Sequence, residues 1–238
     1  DITLDLANVL TGTVALNTTG GSGNALIDNG TTALNLATST VGGNLTLTSG
    51  HASGIIDSST VTVGGNLVAT TDAANGSIHM DGLRVDGTVQ LTTHGSGDAT
   101  VVNDAGLTFL ASTVRNLAAT ATTGDIVDSG VLTVAGTSSF TTSQNNADII
   151  LNNANAFTGT VALNTTGSSG NATVVDASGL NLAASTVGGN LIATATTGDI
   201  VDSGVLTIAG TSSFTTSQNN ADITLDLANV LTGTVALN

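Results

Sequence analysis

Apolar residues alternate with small polar ones along nearly the whole chain: Val14 and Leu16, Leu45 and Leu47, Val89 and Leu91, and Val161 and Leu163 are each separated by a single Ala, Thr or Gln. A period of two sends one set of side chains inward and leaves the other outside, the signature of a half-buried strand. The runs are short and are punctuated by Gly, Asn, Asp and Ser, which suit tight turns. Helical spacing at i, i+3 and i+4 is absent, and the dominant residues, Thr, Val, Gly and Asn, are poor helix formers. The pattern predicts an all-β protein of many short strands.

The runs also repeat. Copies begin at Leu10, Val41, Val63, Val85, Val114, Val134, Phe157, Val187, Ile208 and Leu231, so that successive starts lie 31, 22, 22, 29, 20, 23, 30, 21 and 23 positions apart. A longer period is visible as near identity, since Asn116 to Asp148 matches Asn190 to Asp222 over 33 positions with two substitutions, Ala118 against Ile192 and Val134 against Ile208. Units of roughly 20 to 23 residues built from short strands predict a parallel β-solenoid in which like residues stack about 4.8 Å apart. On this reading the chain is a single continuous solenoid with coils of about 22 residues, three coils to each 74-residue repeat. The long repeats run over about 1–73, 74–147 and 148–221, and the next starts at 222–238. The first seventeen residues recur letter for letter as Asp222 to Asn238, which marks the chain as a window on a longer array. A string of Ig-like sandwiches is the rival architecture, but it calls for non-equivalent strands and large core residues.

Composition sharpens this picture. There is no Trp, Tyr, Pro or Cys, and the 40% of apolar residues are mostly Ala, Val, Leu and Ile, which favours a thin, regularly stacked interior. Every acidic residue is Asp, Lys is absent, and Arg84 and Arg115 are the only permanent cations, giving a formal charge of −15. Such a chain repels nucleic acid and anionic membranes. No apolar run approaches the roughly 18 residues that a membrane span requires. The charge and low charge density suit an extracellular protein.

The runs VGGNLTLTS (from Val41), GDIVDSGVLTVAG (from Gly124) and GTVALNTTG (from Gly12 and Gly159) resemble the repeats of large bacterial exoproteins of the filamentous haemagglutinin type. The resemblance extends over essentially the whole chain. It implies a right-handed parallel β-helix forming the shaft of a secreted or cell-surface adhesin. The Pro-containing secretion domain of such proteins is absent from this Pro-free sequence.

Candidate chemistry is sparse. Carbohydrate-cleaving β-helices cluster carboxylates with Arg or Lys, whereas here the Asp residues recur with the repeat, so no catalytic site is expected. His51, His79 and His94 lie in dissimilar contexts and read as solvated turn residues. Asp125 and Asp148, and likewise Asp199 and Asp222, are 23 positions apart and are predicted to stack one coil over the next. Paired carboxylates either stay solvated at a turn, the default, or share a cation, for which Ca²⁺ is the natural candidate. The Asn of VGGN at Asn44, Asn66 and Asn190 predicts an amide ladder at a coil corner. Glycosylation triplets at Asn17, Asn29, Asn44, Asn75, Asn164 and Asn171 arise by chance in so Asn- and Thr-rich a chain. The long intervals, about eight residues longer than the others, predict a row of bulges along one edge, roughly 14 Å apart.

Two functions fit. The first is a non-catalytic shaft or spacer of a cell-surface or secreted adhesin or filament, whose partners are neighbouring repeats, self-association laterally or end to end, and surface glycans. The alternative is a carbohydrate- or ice-binding module using Thr-rich faces, such as Thr60–Thr62 and the run from Ala121, or the periodic bulges. An uninterrupted Thr grid on one face would favour the alternative, and mixed faces the spacer.

Overall fold

The computed structural model describes all 238 residues. Its regular elements are strands throughout, thirty of them, every one paired parallel and almost all between adjacent coils, in a 14-stranded sheet and a 16-stranded sheet. The chain alternates between the two sheets as it winds, making a parallel β-solenoid of about 11 turns with coils of about 21 residues. The alternation in the sequence sets which side chains point in. Along the first sheet Leu45 pairs with Leu67 and Leu67 with Val89, all fully buried, while the intervening Thr46, Val68 and Gln90 face out. The inward residues of both sheets merge into one cluster of 48 buried side chains running through the rod. Phe140 of the second sheet and Phe157 of the first meet across it edge to face, with ring centroids 5.9 Å apart.

Tracing one ladder corrects the count of coils. From Ile2–Leu4 the first sheet passes through Ala25–Asp28, Leu45–Ser49, Leu67–Ala74, Thr88–His94, Leu107–Phe109 and Ile126–Asp128 to Ile149–Phe157, seven pairing steps for two long repeats. The second sheet likewise takes seven steps from Ile78–Val85 to Ile223–Thr224. Each long repeat therefore makes about three and a half turns, against the three expected from sequence spacing. The extra residues of the long intervals form no bulge. They fold as an ordinary half turn, one strand on each face, such as Ala99–Asn103 on the second sheet and Leu107–Phe109 on the first. A row of bulges along one edge does not exist.

The half turn moves each successive repeat to the opposite face. Ile126–Asp128 and Leu132–Val134 lie end to end on the first sheet, both pairing with Ile149–Phe157, while their near-identical copies Ile200–Asp202 and Leu206–Ile208 lie on the second. The exchange occurs at runs of three long strands, Leu67–Ala74, Ile78–Val85 and Thr88–His94, and again at Ser138–Asn145, Ile149–Phe157 and Thr160–Thr166. Coil corners are tight where VGGN turns stack. A Cβ on Gly64 would lie 2.5 Å from the Gly42 carbonyl oxygen, and one on Gly42 would press still closer on that of Gly20, so only glycine admits this spacing.

Candidate functional site

The predicted Asp pairs do stack. Ile126 pairs with Ile149 and Ile200 with Ile223, which sets Asp125 beside Asp148 and Asp199 beside Asp222. The side-chain oxygens are engaged by backbone: Asp148 N–H donates to Asp125 Oδ1 at 2.8 Å, and Asp222 N–H donates to Asp199 Oδ1 at 2.8 Å. The first ladder continues as Asn171 N–H to Asp148, Asn190 N–H to Asn171 and Thr211 N–H to Asn190, at 2.7–2.9 Å. Asn24, Asn44 and Asn66 form a similar ladder ending at Thr88 N–H. Asn44 and Asn66 therefore stack together as the VGGN spacing implies, whereas Asn190 belongs to a different ladder. The bonds also differ in kind from amide-to-amide stacking. Each side-chain oxygen accepts the N–H that opens the strand of the next coil, closing the hydrogen-bond column where backbone pairing runs out.

As a cation site this arrangement is thin. Ca²⁺ takes six to eight oxygens, and no group of three or more Asp or His side chains converges anywhere in the molecule. The histidines lie apart, and only His51 is at a turn, where its Nδ1 accepts the Ser53 N–H at 3.0 Å; contrary to expectation His79 lies on the outward phase of the strand Ile78–Val85, 3.5 Å from Asp81, and His94 ends the strand Thr88–His94 with Nδ1 2.7 Å from the Thr71 carbonyl oxygen. The largest concavity, about 560 Å³ against the first coil, is lined by Ile2, Leu4, Leu10, Val14 and neighbours without a titratable side chain.

The buried polar groups are the ones the sequence reading passed over. Asp57, Asp128 and Asp202 end short strands with their carboxylates pointing inward. Asp57 accepts the N–H groups of Asp81 and Gly82 at 3.0 and 2.9 Å, where the next strand shifts register between Met80 and Leu83. Asp128 accepts the N–H groups of Asn152 and Asn153 and the Asn155 side-chain amide, the last at 2.6 Å, across an equivalent shift between Leu151 and Asn155. Asp202 repeats this with Asp226 and Asn229. Burial pushes the Asp57 carboxyl above its ordinary value despite these donors, and the nearby Asp81 charge adds to the rise. A signal was available: in GDIVDSG the second Asp is two positions after Ile126 and so falls on the inward phase.

A second inward polar position follows the paired strands. Asn103 is fully buried, donates to the carbonyls of Val85 and Gly106 at 3.0 and 2.8 Å, and accepts the Val85 N–H at 2.8 Å. Asn29 bonds likewise to Leu10 and Ala33. In the third copy the residue is Asp176. Its Oδ1 accepts the N–H and hydroxyl of Ser178 at 3.0 and 3.1 Å, while its buried Oδ2 has no partner. Burial raises its pKa, opposed less strongly by the hydrogen bonds from Ser178.

The outward faces answer the question of a Thr grid. Thr48, Thr70, Thr92, Thr113 and Thr133 stand in register on five successive coils of the first sheet. On the second sheet the corresponding row reads Thr120, Thr141, Asn164, Thr186 and Thr207. The neighbouring columns on the first sheet are mixed, Thr46, Val68 and Gln90 in one register and Thr88, Thr108 and Val127 in another. The rows are one residue wide, and no two-dimensional array forms.

Among known families, one described as repeats of unknown function (DUF5649) matches residues 96–164 and 169–238. No curated protein and no solved structure matches the chain.

Proposed function

The chain belongs to this family of repeats of unknown function, and on that premise we propose that it is a rigid, non-catalytic shaft, a spacer within a secreted or cell-surface bacterial adhesin or filament. The observation that carries this reading is the continuity of the two sheets, in which strands pair parallel coil upon coil from Ile2 to Leu237. A coil stabilised only by its neighbours can be multiplied without redesign, because stability grows as a sum of coil and interface contributions. Extension and stiffness are then the product of the fold.

Other observations agree. The buried carboxylates and amides all serve backbone groups of neighbouring strands or turns, and neither they nor the histidines gather into a constellation suited to proton transfer or metal binding. The secreted location rests on the acidic, Lys-free composition and on the likeness of VGGNLTLTS and its relatives to filamentous haemagglutinin-type repeats. Partners would be neighbouring repeats and, at the surface, glycans. The single-file Thr rows favour the spacer over a carbohydrate- or ice-binding face, since flat ligands require more than one column.

The test is length. Duplicating residues 148–221 in tandem should extend the rod by about 17 Å, three and a half strand spacings, while leaving the far-ultraviolet spectrum per residue unchanged. Small-angle scattering measures the longest dimension directly. A duplication that leaves this dimension unchanged, or that gives a compact particle, would refute the shaft.

A further inference from the structure

The outward side of the first sheet carries a strip without charge. A column from Thr108 through Val127, Ile150, Thr173 and Ile192 to Ser213 stays in register from strand to strand and holds no carboxylate or cation. Earlier coils add Leu26 and Val68 in a neighbouring register, and the Thr row from Thr48 to Thr133 beside them is equally uncharged. The second sheet differs, for His79, Asp81 and Arg84 point outward from one of its strands, and its exposed Ile56 pairs directly with His79.

The repeats themselves distinguish the two faces. Asn116 to Asp148 and Asn190 to Asp222 differ at two positions, of which Val134 and Ile208 are buried. The outward difference is Ala118 on the second sheet against Ile192, 48% exposed, on the first. At another equivalent pair of outward positions the second sheet has His79 and the first has Ile150. Where a copy turns to the first face, a small or polar side chain is replaced by isoleucine.

We infer that this face is a self-association surface, on which a second copy of the chain packs sheet to sheet. The inference rests on the shaft reading and makes the working unit a laterally paired rod. A chain of net charge −15 repels acidic partners, and a basic partner finds no carboxylate on the strip. A second copy brings the same uncharged strip of Val, Ile and Thr, and two such sheets pack about 10 Å apart. The twelve strands of the sheet's main path span about 53 Å and two outward columns cover about 14 Å, so the contact takes about 700 Å² from each copy, about 1,400 Å² in all, within the range of stable specific interfaces.

Sedimentation equilibrium combined with small-angle scattering tests this. The parent should reach twice its mass of 23.0 kDa while its longest dimension stays that of one rod, and added salt should tighten the pair by screening the remaining carboxylates. Ile192→Asp should weaken pairing at least about tenfold. Ile192→Ala, which installs the residue of the matching position Ala118, should weaken it less and leave the far-ultraviolet spectrum unchanged. Ala118→Asp on the second sheet should pair as the parent does. A parent that stays monomeric, pairing lost through Ala118→Asp but kept in Ile192→Asp, or a longest dimension that doubles with the mass as in end-to-end stacking would each overturn the inference. The shaft reading falls separately, if monomeric Ile192→Asp with a parent-like spectrum scatters as a compact particle; a monomeric parent that scatters as a rod sinks the pairing alone.

Discussion

Replacing Asp176 by Asn should stabilise the protein, and the size of the effect can be worked from its own repeats. At the equivalent position the Asn103 amide donates to two carbonyls, those of Val85 and Gly106. The Asp176 carboxylate has no proton to offer and leaves Oδ2 buried without a partner. Two restored hydrogen bonds at about 1 kcal/mol each, with relief of an unsatisfied buried oxygen costing about 1–3 kcal/mol, predict a gain of about 3–5 kcal/mol near neutral pH. The sign with pH follows from the raised folded-state pKa. The folded protein holds this proton at pH values where the unfolded chain has released it, so the carboxyl form is tolerated below the ordinary carboxylate range and stability falls as pH rises through the folded value. Asp176→Asn removes that dependence. Its advantage should be larger at pH 7 and shrink as pH drops toward the unfolded value near 3.8. Urea unfolding at the two pH values measures both, with hydrogen exchange of the strands Ala172–Asp176 and Ile149–Phe157 reporting local opening if the rod unfolds in sections. A variant no more stable than the parent at pH 7, or a gain equal at both pH values, would refute the reasoning.

Asp128→Ala removes the acceptor for two backbone N–H groups and the Asn155 amide, and should cost about 3–5 kcal/mol, against about 1 kcal/mol for Asp125→Ala at the exposed rim; urea midpoints of the two variants compare them. Gly64→Ala drives a methyl onto the Gly42 carbonyl and should lower stability by about 2–3 kcal/mol, read as a fall in the thermal midpoint. Phe140→Ala empties the interior contact with Phe157 and should cost about 3–5 kcal/mol, with faster exchange in the strands of both sheets around it. Millimolar Ca²⁺ should leave the unfolding midpoint unchanged, because the Asp125–Asp148 and Asp199–Asp222 pairs already serve backbone donors; a calcium-dependent rise would restore the cation reading.

Much of this architecture is written locally. Alternation at Leu45 and Leu47 or Val161 and Leu163 selects the inward face, the spacing of Asn44 and Asn66 places both in one ladder, and a separation of one coil stacks Asp125 on Asp148. These readings succeed because strand period and coil length are properties of short sequence, enforced wherever like residues stack. The inward carboxylates at Asp57, Asp128 and Asp202 were legible in principle through the same alternation. Their use was hidden, since a buried Asp is unfavourable until a register shift in the next coil leaves N–H groups for it to satisfy.

What the sequence determined by itself is the unit: a β-coil of about 22 residues, its inward side chains, its glycine corners and its duplication. Only the tertiary structure decided the phase between units. The longer intervals between copies can be spent on an excursion or on half a coil, and letters alone do not distinguish them. The solenoid resolves this because an unpaired excursion would leave backbone donors and acceptors without partners, while half a turn gives each strand a neighbour above and below. That choice sends identical segments to opposite faces of the rod.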